Sequence, residues 1–233
     1  MSQTRKIIII IPARSGSKRL PQKNILIIKN KPLFFYSVKA AIESNLTKHV
    51  YVLSDNPQIL KKAEDFGAIP FELTPELASD TAEVVRPSIY AIEKLKENGL
   101  EFDDFICLQP TSPLRTSEDI KKSYEAYILK DANFLVSVSE VDPHYFHWAI
   151  KENTASDYSQ MYFGEEFLKS RAELPKIYWP NGAIKIAKID SIKNRGHFFG
   201  EKMAIYKMPA DRSVHIATKN DFEICKNQIE HEL

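Results

Sequence analysis

The sequence has few cysteines and no long apolar run, and each scarcity excludes a class of protein. Its two cysteines, Cys107 and Cys225, lie in apolar-patterned segments. We therefore expect buried free thiols and a cytoplasmic location rather than a disulfide framework. The isoleucine run Ile7–Ile11 ends at Pro12. It is far shorter than the roughly 20 residues of a membrane-spanning helix and lacks the layout of a signal peptide, so we expect no membrane partner.

Glycine is also scarce, with seven residues in 233, and this excludes two common phosphate-binding loops. The Walker motif needs two glycines before its lysine, and the dinucleotide motif needs three. The loop after the first apolar run contains only Gly16. A hydride-transferring enzyme built on the dinucleotide motif is therefore set aside.

What the sequence does contain predicts a folded α/β domain. Hydrophobic residues make up 43% of the chain and charged residues 27%, a balance that supports a sizeable core. Short β-rich runs alternate with amphipathic segments, the pattern of βαβ units and a mostly parallel, twisted sheet flanked by helices. The predicted strands are Lys6–Pro12, Val50–Leu53, Phe105–Leu108, Phe134–Val138, Gly182–Ala187 and Met203–Met208. The predicted helices are Pro32–Asn45, Pro57–Phe66, Ala82–Asn98, Ser117–Lys130, Asp190–Asn194 and Asn220–His231.

Polar residues mark two of the predicted helix starts. Thr116 is followed three residues later by Asp119, and Asn220 by Glu223, which is the spacing of a capping box. We expect Thr116 and Asn220 to cap their helices.

Residues 142–178 have no regular pattern and are rich in aromatic side chains. We expect a single domain over residues 1–233, in which 142–178 is an excursion from the sheet that packs on a second subunit to form a homodimer. An ordinary long surface loop is the alternative.

Acidic residues are absent from the start of the sequence. Nine bases precede the first acid, Glu43, whereas the remainder carries 23 bases and 31 acids. A nucleic-acid-binding protein usually spreads positive charge over a whole face, so the concentration at one end favours a small phosphorylated ligand.

The loop that follows the first predicted strand concentrates this charge. Residues 12–24 read P-A-R-S-G-S-K-R-L-P-Q-K-N. In an open α/β sheet, ligands bind beyond the carboxyl ends of the strands, where this loop lies. Gly16 and the serines allow backbone N–H groups to approach phosphate oxygens, while Arg14, Lys18 and Lys23 supply charge.

This loop resembles the P-A-R-x-G-S-K-x-x-P-x-K-N motif of the CMP-sialic acid synthetases, the acylneuraminate cytidylyltransferases. Three further blocks, in the same order along most of the chain, are similar to segments of that family. They are E-L-A-S-D-T-A at 76–82, Q-P-T-S-P-L-R at 109–115, and R-A-E-L-P at 171–175 with P-N-G-A-I at 180–184. The resemblance implies a Rossmann-like nucleotidyltransferase fold and transfer of CMP from CTP to the anomeric hydroxyl of a 2-keto sugar acid.

The resemblance also implies roles for individual residues. Arg14, Lys18 and Lys23 are the expected clamp on the triphosphate, where fixed cations neutralise the charge that accumulates on phosphate oxygens. The expected nucleotide-binding residues are Ser15, Gly16, Asn24, Ser79, Asp80, Thr81, Ala82, Gln109, Pro110 and Thr111. Gln109, Arg171 and Asn181 are expected to contact the sugar acid, with Arg171 facing its carboxylate. Read without the resemblance, Gln109 is equally a surface residue at a strand end, and Asn181-Gly182 a hairpin turn.

The sequence departs from the family at its metal-binding segment. The family's D-I-D-T is replaced by V-H-I-A-T at 214–218, so that His215 and Ala217 stand where carboxylates are expected. An imidazole is a poor ligand for Mg²⁺. We weigh three interpretations: CTP and water hold the metal with a displaced carboxylate such as Asp211 or Asp80; His215 binds a softer ion such as Mn²⁺; or the chain binds nucleotide without turning it over.

Differences from the family at positions expected near the sugar acid indicate the substrate class. Leu73-Thr74-Pro75 stands where the family often has an arginine, His147 near an expected lysine, and Lys185 in place of a common tyrosine. This pattern favours a nonulosonic acid other than N-acetylneuraminate, of legionaminic or pseudaminic type. A cytidylyltransferase for a 3-deoxy-octulosonate-type sugar and a silent CTP-binding module are the alternatives.

Overall fold

The computed structural model of the protein describes residues 5–16, 20–78, 84–153, 155 and 158–231. The strands in these ranges are β1 (Ile7–Pro12), β2 (Ile27–Ile28), β3 (Lys31–Pro32), β4 (Val50–Ser54), β5 (Ile69–Glu72), β6 (Asp104–Cys107), β7 (Phe134–Val141), β8 (Ile150–Lys151), β9 (Gln160–Met161), β10 (Ile177–Lys188) and β11 (Met203–Lys207). The α-helices there are α1 (Leu33–Glu43), α2 (Pro57–Asp65), α3 (Val85–Glu97), α4 (Ser117–Leu129), α5 (His144–His147), α6 (Ile189–Arg195) and α7 (Lys219–His231).

The central sheet has seven strands in the order β11-β7-β10-β6-β1-β4-β5. Its neighbouring strands pair in parallel, except that β10 runs antiparallel to both β6 and β7. This confirms the predicted mostly parallel α/β fold. Because β10 is reversed, its first half lies at the edge where β1, β4, β6 and β7 end. Residues 177–183 thereby join the loops at which ligands bind in such sheets.

The run of consecutive isoleucines in β1 follows from helices covering both faces of the sheet. Ile7, Ile9 and Ile11 pack on the face covered by α1, α2 and α4, whereas Ile8 and Ile10 pack on the face covered by α3 and α6. A strand buried on both faces has no position for a polar side chain, which explains the continuous apolar pattern. Cys107 and Cys225 are buried and free, as expected.

The structure corrects several predicted boundaries. The Thr116–Asp119 capping box at the start of α4 is confirmed. The predicted cap of the last helix is wrong, because Thr218 and Asp221, not Asn220 and Glu223, exchange the capping hydrogen bonds. β5 was not predicted because its I-P-F-E sequence carries a proline and an acid on an edge strand. The prediction of a strand at Gly182 is too short, since β10 begins at Ile177.

Residues 142–176 lie outside the central sheet and connect β7 to β10. The two ends of this segment are close together, because Val141 of β7 pairs with Ile177 of β10. This segment is called the arm below, and it contains α5, the β8–β9 pair and a short 3₁₀ helix at Gly164–Leu168. Several of its large apolar side chains face outward, with Tyr145 82% exposed and Ile150 67% exposed, whereas Leu174 is buried. The structure thus shows an excursion from the sheet, and its packing on a second subunit stays a prediction. No helix in the described ranges is both long and apolar enough to cross a membrane.

Candidate active site

The phosphate-binding loop predicted after β1 is tied down at both of its described ends. The backbone N–H and the hydroxyl of Ser15 both donate to the carboxylate of Asp55, at 2.8 and 2.5 Å. The side-chain amide of Asn24 donates to the carbonyl of Arg14 at 2.8 Å. Because Asp55 follows β4, the neighbour of β1 in the sheet, the loop is held against the carboxyl end of that strand. Lys18 lies outside the described residues.

A cleft of about 210 Å³ opens over this loop. Apolar side chains from the β4, β5 and α3 side of β1 line one part of it: Leu53, Leu73, Leu77, Val84 and Pro87. Polar residues from the β6 side line the other part: Gln109, Thr111 and His215. Between them lie the residues of the loop itself, Arg14, Gly16, Lys23 and Asn24. The cleft therefore has an apolar side, a polar side and two cations between them.

The loop cations also contact segments far away in sequence. Nζ of Lys23 donates to the carbonyl of Ile216 at 3.1 Å, and Nη1 of Arg14 lies 3.5 Å from the carbonyl of Ala78. Lys23 thus links the loop to the segment that precedes α7. Arg14 links it to the turn that precedes residues 79–83, and the predicted nucleotide-binding residues Ser79, Asp80, Thr81 and Ala82 lie outside the described part of the chain.

The 109–115 segment forms the polar side of the cleft. The N–H of Ile216 donates to the carbonyl of Thr111 at 2.8 Å, which docks the C-terminal segment onto it. Nδ1 of His215 then lies 3.3 Å from the Thr111 hydroxyl and 3.4 Å from that of Ser112. Gln109, Pro110 and Thr111 all line the cleft, and their predicted binding of the substrates stays a prediction.

Asn181 and Gly182 form an irregularity within a strand, and the hairpin-turn reading of this dipeptide is wrong. The pairing of β10 with β7 shifts register between Pro180 and Lys185. Gly182 adopts a left-handed φ of +73° there. A Cβ at this position would lie 2.8 Å from Oε1 of Gln109 and 2.9 Å from Nδ1 of His215. Glycine allows these two side chains to rest directly against the backbone.

Asn181 is held by the protein itself. Its side chain is 4% exposed. Its Oδ1 accepts from the Ser137 hydroxyl at 2.6 Å and from the N–H of Ala183 at 3.1 Å. Its Nδ2 donates to the Ser213 hydroxyl at 2.9 Å and to the Met208 sulfur at 3.4 Å. With all four positions of the amide used, Asn181 shapes the bulge and does not line the cleft.

Arg171 is likewise separate from the cleft lining. It lies on the arm, its side chain is 69% exposed, and its guanidinium is 3.5 Å from Asp142. His147, where the family resemblance places a lysine, is also on the arm, in α5. Their roles toward a sugar acid stay predictions.

The residues around His215 do not fit a protein-built magnesium site. The described ranges contain no group of three histidine, cysteine or carboxylate side chains placed to share an ion. Asp211 is exposed, receives the N–H of Arg212 at 2.9 Å and does not line the cleft. Asp221 caps α7 through the N–H groups of Ala217 and Thr218. Burial raises the pKa of Asp221, but these hydrogen bonds outweigh it and leave the pKa below its usual value.

The residues that fix the site residues in place through hydrogen bonds were not predicted from the sequence. Asp55, which anchors the loop, follows β4 as the first carboxylate after that strand, a position that gives a signal at the ligand-binding edge. Ser137 and Ser213, which fix Asn181, have no such signal because β10 brings them together only in the folded chain.

Comparison with known proteins identifies relatives of the whole chain. A family model described as Cytidylyltransferase matches residues 8–232. The chain is 35% identical over 224 residues to an N-acylneuraminate cytidylyltransferase of Streptococcus agalactiae, covering 93% of this chain and 52% of that protein. It therefore spans about half the length of that relative. It is 32% identical to a pseudaminic acid cytidylyltransferase of Campylobacter jejuni, covering 95% of both chains.

A solved structure supports the fold. A CMP:2-keto-3-deoxy-manno-octonic acid synthetase, solved in complex with CTP, superposes with a TM-score of 0.73 at 18% identity. The alignment covers 98% of this chain and all of that one. At this identity the likeness concerns the fold, which is the expected Rossmann-like nucleotidyltransferase fold.

Proposed function

The chain belongs to the cytidylyltransferase family, and on that basis we propose that it transfers CMP from CTP to the anomeric hydroxyl of a nonulosonic acid and releases pyrophosphate. The observation that carries the proposal is the cleft over the β1 loop, which places Arg14 and Lys23 between an apolar and a polar side. Relatives named for N-acylneuraminate and pseudaminic acid match over 93% and 95% of the chain.

The proposed reaction requires little covalent chemistry from the protein. The anomeric hydroxyl of the sugar loses its proton to solvent and its oxygen forms a bond to the α-phosphorus of CTP. The bond from that phosphorus to the oxygen that bridges to the β-phosphorus breaks, and pyrophosphate leaves with that oxygen. Negative charge accumulates on the phosphate oxygens at the five-coordinate stage. Fixed cations that stabilise this charge supply most of the rate enhancement in such transfers. Arg14 and Lys23 have this role, together with Lys18.

The two sides of the cleft suit different parts of the reaction, the base of the nucleotide and the reacting centre. The apolar side, from Leu53 to Pro87, offers surface to the faces of a flat pyrimidine. Asn24 also lines the cleft, and its Oδ1 can accept a hydrogen bond from the base while its Nδ2 donates to the carbonyl of Arg14. Gly16 presents the backbone of the loop to the phosphates, whereas Ser15 holds the loop in place through Asp55. Gln109 and Thr111 face the reacting end from the polar side.

The acceptor proposed is a nonulosonic acid of pseudaminic or legionaminic type. The pseudaminic acid relative is matched over 95% of its length. Arg171 carries the charge that the sugar carboxylate requires, and its contact with that carboxylate stays a prediction. A 3-deoxy-octulosonate acceptor is the second candidate, favoured by the fold of the octulosonate synthetase.

For the divalent ion, we propose that Mg²⁺ or Mn²⁺ binds mainly through the CTP phosphates and water. Magnesium commonly keeps several waters and binds through substrate phosphates with only one or two carboxylates. His215 and Asp211, the ligands predicted from the sequence, do not form a site of the usual kind with the other described residues.

The proposal is tested by pyrophosphate release from CTP with a panel of pseudaminic, legionaminic, N-acetylneuraminic and 3-deoxy-octulosonic acids, each with Mg²⁺, Mn²⁺ or chelator. We expect turnover with one nonulosonic acid and loss of turnover in chelator. Turnover with the octulosonic acid alone would establish the second candidate. Binding of CTP by calorimetry without turnover on any sugar would instead show a silent nucleotide-binding module.

We also propose that the arm packs on a second copy of the chain. A cluster of exposed apolar side chains on one segment is typical of a subunit interface. We expect the protein to be a dimer by light scattering, and the double substitution Tyr145→Glu and Ile150→Glu to make it a monomer. The control is Leu129→Glu, since Leu129 is 87% exposed but lies at the end of α4. A monomeric native chain, or a dimer in the double variant, would contradict this proposal.

A further inference from the structure

Arg115, the last residue of the 109–115 segment, is a buried cation with an unusual set of partners. It is 3% exposed. Its Nε donates to the carbonyl of Ala183 at 2.8 Å, its Nη1 to the hydroxyl of Ser37 at 2.8 Å, and its Nη2 to the carbonyl of Gln109. Among the described residues, no carboxylate lies within ion-pair distance of it.

A buried guanidinium without an ion-pair partner is costly, so its retention calls for a reason. Burial also lowers the pKa of Arg115, which reflects the same cost. A methionine or leucine would fill this volume in an ordinary core. Residues whose burial costs free energy in this way are concentrated at functional sites.

The partners of Arg115 show what its planar fork accomplishes. They belong to α1, to the turn after β6 and to the bulge of β10. The fork therefore fixes the backbone of Gln109 relative to the backbone at 182–183. On the cleft side of these two backbones, the side chain of Gln109 rests against Gly182, 2.8 Å from where a Cβ would be. His215 rests against the same glycine.

The wall formed by Gln109, Gly182 and His215 is the polar side of the cleft, to which Gln109 and His215 contribute their side chains. The apolar side lies across β1 from it, beside β4, and suits the pyrimidine. Arg14 and Lys23 lie between the two sides and suit the phosphates. With the pyrimidine on the apolar side and the phosphates at the two cations, the polar side is left for the acceptor sugar.

We propose that Arg115 is a positioning residue for the acceptor sugar: it holds Gln109 against the Gly182 bulge, and so sets the wall that the sugar contacts. This inference rests on the proposed function and adds a determinant of sugar binding that touches neither substrate. If it is correct, substitution of Arg115 changes the KM for the sugar acid much more than the KM for CTP.

The test is a pair of Michaelis constants measured in Arg115→Lys, which keeps the charge but loses the fork. We expect the KM for the sugar acid to rise by about tenfold or more, the size of a lost buried hydrogen-bond pair, while the KM for CTP changes by less than about threefold. The control is Arg5→Lys. Arg5 also makes a two-point contact, to Asp104, but at the opposite edge of the sheet, and we expect both constants to be unchanged.

A second variant probes the same wall from the cleft side and covers the case in which Arg115→Lys fails to fold. Gly182→Ala places a Cβ against Gln109 and His215, and we expect the same selective rise in the KM for the sugar. Its control is Gly99→Ala, which has a similar φ of +83° but no atom within 4 Å of the added Cβ.

The outcomes separate the two proposals. Equal changes in both constants, or a normal KM for the sugar in folded Arg115→Lys and Gly182→Ala, would overturn the role of Arg115 and leave the proposed function intact. Failure of the native chain to release pyrophosphate with any sugar would overturn both.

Discussion

Replacing Arg14 with alanine is expected to lower kcat/KM for pyrophosphate release by about 30- to 1000-fold. This corresponds to roughly 2–4 kcal/mol of transition-state stabilisation, the loss measured when one preorganised charge contact is removed from an active site. Arg14 lines the cleft next to Gly16 and Lys23, where the phosphates are proposed to lie. Its charge is required most when the phosphorus is five-coordinate, so kcat should fall more than the KM for CTP rises.

The measurement is the initial rate of pyrophosphate release at saturating sugar acid over a range of CTP concentrations. Arg195→Ala is the matched control. Arg195 ends α6 and its Nε is 3.3 Å from the carbonyl of Phe199, away from the cleft. We expect it to keep native kinetics. Near-native turnover in Arg14→Ala would remove this residue from the phosphate site.

The fold was predictable because its strands and helices carry strong local patterns. Strands buried on both faces, such as Ile7–Pro12, are continuous apolar runs, and the Thr116–Asp119 spacing gives the start of α4. The reversed direction of β10 carries no such local mark. It depends on the pairing of β10 with β6 and β7, in which Lys188 pairs with Asp104, 84 residues away in sequence, and Ile177 with Val141, 36 residues away.

The candidate site was predictable in its charge and only partly in its geometry. Arg14 and Lys23 of the loop, with Gln109 and Thr111, do line one cleft. Asn181 was expected to face the substrate, but its amide is used within the protein because the bulge surrounds it with Ser137, Ser213 and the N–H of Ala183. Such a network depends on three elements that meet only after folding.

The bulge also explains how His215 is accommodated at a position where the family resemblance implies a carboxylate. Gly182 leaves room for the imidazole ring, and the hydroxyls of Thr111 and Ser112 lie within reach of its Nδ1. The ring is thus supported by polar neighbours of its own. Substitution of residues 215 and 217, followed by measurement of the affinity for the divalent ion, tests whether this segment takes part in metal binding.

The double substitution His215→Asp and Ala217→Asp is expected to strengthen Mg²⁺ binding by about tenfold or more, since each added carboxylate supplies a hard oxygen ligand and a charge. Two measurements check this: the Mg²⁺ concentration that gives half-maximal pyrophosphate release, and Mn²⁺ binding to the nucleotide-free protein by electron paramagnetic resonance. The control is His215→Asn with Ala217→Asn, which has similar size and no added charge. We expect it to bind the ion no better than the native chain.

Each result of this experiment selects one interpretation of the segment. Tighter metal binding with higher activity means that the native chain carries a weakened metal site, in which CTP holds the ion almost alone. Tighter binding of Mn²⁺ with lower activity means that His215 contributes to turnover through its contacts with Thr111, Ser112 and Gly182. Unchanged metal affinity in a folded double variant would contradict the prediction, because it would show that residues 215 and 217 do not face the ion at all.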